Sequence, residues 1–492
     1  MSGTALDPRT APIFPMAAHK LLGDSQLRKN VRHATDVIQN KRRIVVGEMP
    51  DWEALRESGK QLRAHTMQHL GHYLQQFERN CIAAGGQVHW ARDAAEARQI
   101  VVDLAQSAKA KEVIKIKSMT TEEIFLNPAL KAAGIQPFET DLAELIIQLG
   151  GDQPSHIVVP ALHKNRAQIR EIFMREMNLP NLGHTPQDLA DAARLYLRQK
   201  FLTIHTAVSG ANFLIAETGG VCVVESEGNG RMCLTLPKTL ITIAGIDKVI
   251  PRFQDLEVLL QLLPRSATGE RMNPYNSVWT GVTPGDGPKN FHVILLDNAR
   301  TEILADHEGR QTLNCIRCGA CQNACPVYRQ TGGHAYGSVY AGPIGAILTP
   351  QLQHMEHAQS LPYASSLCGA CYEVCPVKIN IPEVLIHLRN KVVKQNGALT
   401  PEALAMRTMG MIFRSESRFR AAQRFGRIAE TPLVRKDGQG QGWIGWLPGL
   451  LGGWTQVRDL QSMPKQTFRE WFENRPQSTG KPAPKKGGTD VL

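Results

Sequence analysis

The chain has 492 residues, 42% hydrophobic and 21% charged, the balance of a globular protein with two or three domains. Its net charge of +11 fits nucleic acid, an anionic membrane surface or acidic partners, yet no nucleic-acid motif or aromatic stacking platform accompanies it. The first residues lack a basic region followed by an apolar run, and the uncharged, apolar-looking stretch at residues 442–455 is too short and too rich in Gly and Pro to cross a bilayer core of roughly 30 Å. A cytoplasmic location is therefore expected, with peripheral contact at the inner face of the membrane left open.

Residues 1–50 read as an irregular, solvated arm around the basic run Lys41, Arg42 and Arg43. From Trp52 apolar residues recur at helical spacing (Leu55, Leu62, Leu70, Leu74, Phe77, Cys81) and predict one long helix. His65, His69 and His72 share its face, but no carboxylate or Cys completes a metal set, so surface or core positions are expected rather than ligation. After Gly85 and Gly86, short apolar strands alternate with helices: strand 87–90, helix 94–108, strand 112–116. That is the rhythm of an α/β domain. Thr120 and Glu123 carry a capping-box pattern, residues 156–159 read as a further buried strand, and two helices cover 164–200.

Residues 210–231 place two β-rich runs on either side of Gly219-Gly220. The plain expectation is a hairpin; a small-molecule pocket beside Glu217, Asn229 and Arg231 is the alternative, because glycine backbone lets a ligand approach closely. Gly285 and Gly287 have Asn290 where a dinucleotide fingerprint needs its third glycine, and no phosphate-binding loop is present. Residues 291–296 read as the last strand of this domain.

Seven of the ten cysteines follow. Cys315, Cys318, Cys321 and Cys325-Pro326 form a complete C-x2-C-x2-C-x3-C-P run, and Cys368, Cys371 and Cys375-Pro376 form a shortened one. In the complete run three thiolates hold one cubane and the fourth reaches across to a second. The first cluster is thus expected on Cys315, Cys318, Cys321 and Cys375, and the second on Cys325, Cys368 and Cys371. Ser365 stands where the missing Cys would be, so the second cluster is either [4Fe-4S] with a non-Cys ligand or [3Fe-4S]. Structural zinc fits the spacing less well. The 42 residues between the two runs favour a helical ferredoxin-type module over a compact hairpin one. Pro382 opens a helix over 383–394. Residues 401–427 read as a helical basic face with Arg407, Arg414, Arg418, Arg420, Arg424 and Arg427, by default solvated, with an acidic partner as the alternative. Trp443, Trp446 and Trp454 are expected to pack on the cluster module, and residues from 476 as a disordered tail.

With these residues laid out, nearly the whole chain resembles the lactate-utilisation protein B family. The resemblance rests on residues 210–219, 227–231 and 331–337 and on both cysteine runs. It implies an N-terminal LUD domain similar to the ribose-phosphate isomerase and CoA-transferase group (51–305), a helical ferredoxin domain (306–400) and a family-specific C-terminal region (401–475). It further implies two [4Fe-4S] clusters and a role as electron-transfer subunit in a three-protein system oxidising L-lactate. The partners would be a second Cys-rich iron–sulfur protein and a second LUD protein, with a quinone or cytochrome as acceptor. A rival reading makes the LUD domain itself catalytic, with Glu217 as base or Arg231 as carboxylate clamp. A third expects an electron-transfer subunit of another respiratory dehydrogenase.

Overall fold

A computed structural model describes residues 7–397, 399–455 and 458–475; the expected tail from 476 lies outside them. Residues up to Gln395 form one compact unit and those from Asn396 a second.

The first unit is built on a six-stranded sheet. Its strands are β1 (Gln87–Ala91), β2 (Glu112–Lys115), β3 (Gln136–Glu139), β4 (Thr206–Ser209), and two more, β7 (Thr239–Gly245) and β10 (Asn290–Leu296). They lie in the order β1-β10-β7-β4-β2-β3, all parallel. β4 and β7, which the sequence reading did not pick out, are buried along their whole length, as strands of a parallel sheet covered on both faces are. From β2 the chain winds outward to β3, whereas from β4 it winds the other way to β7. The strand order therefore reverses between β2 and β4, and a crevice opens beyond their carboxyl ends.

A smaller sheet, in the order β8-β5-β6-β9, contains β5 (Phe213–Ile215), β6 (Gly220–Glu225), β8 (Val249–Ile250) and β9 (Tyr275–Trp279). β5 and β6 are the expected antiparallel hairpin. Gly219 turns it at φ +67°, and a Cβ there would sit 2.2 Å from the Cys81 backbone nitrogen, so no other residue fits.

Several expectations need correction. The N-terminal segment is not an irregular arm: it forms α1 (Phe14–Leu22) and α2 (Ser25–Gly47). Asp24 caps α2 by accepting from the Leu27 N–H, and Leu27, Val31, Thr35 and Val45 are buried along one face. Interleaved Lys and Arg diluted that periodicity in the sequence. The long helix from Trp52 is two helices, α3 (Trp52–Gln68) and α4 (Leu70–Ala83), broken at His69, whose φ is −113°. His65, His69 and His72 are exposed, and His65 Nε2 pairs with the Tyr73 hydroxyl at 3.0 Å. The cap of helix Met119–Glu123 is Ser118 rather than Thr120.

Residues 156–159 are buried or half-buried but form no strand. The reason is local: His156 Nδ1 accepts the N–H groups of Val158 and Val159, both at 3.0 Å, and removes them from any sheet ladder. With Nδ1 an acceptor, Nε2 carries the proton and donates to Asn323 Oδ1 at 3.2 Å. Burial, then the Lys117 ammonium, lowers this imidazole from 6.5 to about 3. The folded state therefore holds His156 neutral, a contribution present above pH 6.5 and lost as pH falls toward 3. Between pH 6.5 and 5 the wild-type chain should lose about 1.4 kcal/mol per pH unit more than His156→Gln. Thermal unfolding of both chains across that range checks this, and equal slopes would count against it.

Residues 297–395 contain helices and no strand among the described residues. This helical module is joined to the sheet domain by a buried ionic network. Arg300 bonds Glu123 at 2.9 and 3.0 Å and Asp247 at 2.6 Å, while the Tyr340 hydroxyl donates to Glu123 at 2.7 Å and Arg317 reaches Asp247 at 3.5 Å. Burial alone would raise the Glu123 and Asp247 carboxyls, but the guanidinium of Arg300 overrides it and holds both below their ordinary range.

In the second unit, helices Pro401–Phe413 and Glu416–Glu430 contain no buried residue. A three-stranded antiparallel sheet follows, formed by Arg435–Lys436, Gly442–Ile444 and Leu460–Gln461. Trp443 is half-buried and donates to Asp437 at 2.9 Å, whereas Trp446 and Trp454 are exposed.

Candidate iron–sulfur centre and an adjoining cavity

The two cysteine runs share one backbone design. Arg317 before Cys318 and Leu367 before Cys368 both take positive φ, as do Gly319 and Gly369 after them, and short helices Ala320–Ala324 and Ala370–Glu373 follow. This makes Cys318, Cys321 and Cys325 equivalent to Cys368, Cys371 and Cys375, with Ser365 in the place of Cys315. The structure turns Ser365 to its own loop, where its hydroxyl accepts from the Leu367 N–H at 3.1 Å.

Cys321 lies in electrostatic reach of Cys318, Cys315, Cys371 and Cys375, and Cys318 in reach of Cys375 and Cys315. Cys371 lies in reach of Cys325 and Cys368. Two groups of thiols result, adjacent through Cys321 and Cys371. Backbone N–H groups donate to sulfur from Arg317 to Cys315 (3.3 Å), Tyr328 to Cys325 (3.5 Å) and Ile379 to Cys375 (3.3 Å). Burial raises the Cys371 thiol to about 12 and the Cys375 thiol to about 11, so a soft metal centre must displace their protons to bind. Cys368 alone is exposed. A set of soft sulfur donors with N–H bonds to the sulfurs fits iron–sulfur clusters.

The N-terminal helices supply charge that sequence reasoning missed. From α2, Arg42 donates to the Val374 carbonyl at 3.2 Å; from α3, Arg56 donates to the carbonyls of Cys375 and Tyr372 at 3.0 and 3.1 Å. Arg63, 1% exposed, bridges the carbonyls of Val249 and Leu313. These cations surround the first thiol group, where they offset the negative charge of thiolate ligation and bear on its potential. The sequence separation, 250 residues or more, leaves no local signal.

A cavity of about 390 Å³ opens where the sheet order reverses. Lys117 and Ser118 follow β2, Gly210 and Asn212 follow β4, and Arg317 and Tyr340 close it from the helical module. Gly210 packs so closely that a Cβ would lie 2.3 Å from Ser118 Oγ. Asn229, picked out from sequence, lines the cavity and donates to Thr140 Oγ1 at 3.2 Å. Glu217 and Arg231 do not line it. Glu217 is exposed and accepts from the Phe253 N–H at 2.9 Å, and Arg231 lies over the Tyr275 ring. Residues of the 210–231 stretch thus form the expected hairpin and also line a cavity, with the side chains of Glu217 and Arg231 outside it. Lys248, which does line it, had one sequence signal: an Asp-Lys pair inside the apolar run 240–250.

Comparison with known proteins matches residues 74–296 to the LUD domain, 311–379 to the 4Fe-4S dicluster domain and 387–477 to the C-terminal region of lactate utilisation protein B. Lactate utilization protein B of Bacillus licheniformis is 42% identical over 93% of this chain and 96% of its own length. That of Bacillus subtilis is 42% identical over 92% and 94%.

Proposed function

The chain belongs to the lactate utilisation protein B family, and from that premise we propose that it is the electron-carrying iron–sulfur subunit of a multi-protein system oxidising L-lactate to pyruvate. Cys315, Cys318, Cys321 and Cys375 hold one [4Fe-4S] cluster, and Cys325, Cys368 and Cys371 hold a second whose remaining iron takes a non-thiolate ligand. When bound, the clusters supply one-electron carriage, and a pair suits the two electrons a 2-hydroxy acid releases. The observation that carries this reading is the adjacency of the two thiol groups through Cys321 and Cys371. The arginines of α2 and α3 favour the reduced state of the first cluster by compensating its charge, and the buried lining excludes water from it.

The partners are a second Cys-rich iron–sulfur protein and a second LUD protein, with a quinone or cytochrome as acceptor. No helix among the described residues is long and apolar enough to cross a membrane. We assign the N-terminal fold to the ribose-phosphate isomerase and CoA-transferase group and the helical module to the ferredoxin type. The purified chain should not oxidise lactate with an artificial acceptor, and activity should return when the partner subunits are added. Full activity of the chain alone would overturn the reading in favour of a catalytic LUD domain.

A further inference from the structure

Lys248 is the unexplained residue of the cavity. Only 8% of it is exposed, it lines the cavity, and its ammonium makes no hydrogen bond or ion pair among the described residues. Every other basic group there is engaged: Lys117 Nζ donates to the Val158 carbonyl at 2.7 Å, and Arg317 reaches Asp247 and stacks over Tyr340. The side chain is largely buried while its ammonium faces the cavity without a protein partner, and a ligand carboxylate would supply its counter-charge there.

The rest of the lining narrows the choice of anion. Asp141, Glu225, Glu227 and Glu270 share the cavity with the three cations. Glu225 is occupied by the turn N–H groups of Glu227 and Gly228, and Glu227 accepts from the Leu142 N–H at 2.9 Å. Four carboxyls beside three cations disfavour a dianion such as phosphate. They suit a monoanion that also carries a hydroxyl, which can donate to one of these carboxyls while its carboxylate meets Lys248. The position agrees with the general rule that ligands of parallel α/β sheets bind beyond the carboxyl ends of the strands, where the order reverses. The volume exceeds that of one small acid and leaves room for bridging water.

We infer that this cavity binds a small hydroxycarboxylate, with its carboxylate on Lys248 and its hydroxyl toward Glu227 and Asn229. The identity of the acid as lactate-like rests on the proposed function; the site itself rests on the geometry. Arg317 links the two, because it lines the cavity and also donates to the Cys315 carbonyl at 3.4 Å. Occupancy therefore changes the field at the first cysteine group.

Calorimetric titration of the full-length, cluster-loaded chain with L-lactate, propionate and inorganic phosphate tests this. Lactate should bind saturably, and propionate, which has the carboxylate without the hydroxyl, about tenfold or more weakly. Lys248→Met should weaken lactate binding at least about tenfold, and Lys248→Arg should restore part of it. The Met variant removes an unpaired charge and orphans no partner, so its folding is retained. Absence of lactate binding, phosphate binding more tightly than lactate, or unchanged binding in Lys248→Met would each overturn the site. Iron content and the chemically reduced spin-resonance spectrum of the same variant report separately on the electron-carrying role. Intact clusters with unchanged lactate binding would remove this site and leave that role standing.

Discussion

Cys375→Ser is expected to abolish the cluster held by Cys315, Cys318 and Cys321, although Cys375 lies 50 residues or more beyond them in the second run. The expectation follows from the crossed grouping: Cys375 lies in electrostatic reach of Cys315 and Cys318, whereas Cys325 lies in reach of Cys368 and Cys371. Iron per chain should fall by about half, since one of two cubanes is lost. Cys325→Ser and Cys368→Ser should instead damage the other site and leave the first more nearly intact. Ser365→Cys is the complementary gain, because it offers a thiolate to the remaining iron of the second site and should shift its potential and spin-resonance signal. Iron and sulfide analysis with electron paramagnetic resonance on these variants decides the matter. Loss of the first cluster's signal in Cys325→Ser, with its survival in Cys375→Ser, would refute the crossed assignment.

Arg300→Met should cost about 3–5 kcal/mol, because it leaves Glu123 and Asp247 buried without their main counter-charge. Both carboxyls and the guanidinium are at most 1% exposed at their side chains, so water cannot replace the lost partner. The thermal midpoint should drop by on the order of 10 °C. Because the same network reaches Tyr340 and Arg317, the loss should also loosen the helical module against the sheet domain. Hydrogen exchange in residues 310–345 is the readout for that. Arg271→Met, which removes a surface pair with Glu48, should leave the midpoint unchanged within error. Equal effects of the two substitutions would deny the network any special structural weight.

The strands were legible where local pattern and tertiary demand agree. Residues 291–296 are a buried run of the length a covered parallel sheet requires, the shorter strands at 87–91 and 112–115 show in the alternation of strand and helix, and the hairpin at Gly219 follows from a glycine that nothing else can replace. Residues 156–159 were equally apolar and yet form no strand, since one histidine ring captured the N–H groups a ladder would have used. The N-terminal helices were hidden because their buried face is narrow and their exposed face is crowded with Lys and Arg.

For the site, the spacing of Cys315, Cys318, Cys321 and Cys325 carried the chemistry by itself, because the ligands of a cubane lie close in sequence and need soft donors at short, regular intervals. What spacing cannot encode is the surrounding charge. Arg42, Arg56 and Arg63 reach the cysteine module from helices 250 residues or more earlier, and Lys248 and Arg317 meet only in the lining of one cavity. Desolvation of Lys248, which with repulsion from Arg317 lowers its ammonium to about 7, exists only once the sheet domain and the helical module close over it. The spacing of the candidate ligands was thus legible in the sequence, and the electric field and the cavity around them come from the packing of distant segments, since both depend on which groups share a water-excluded volume.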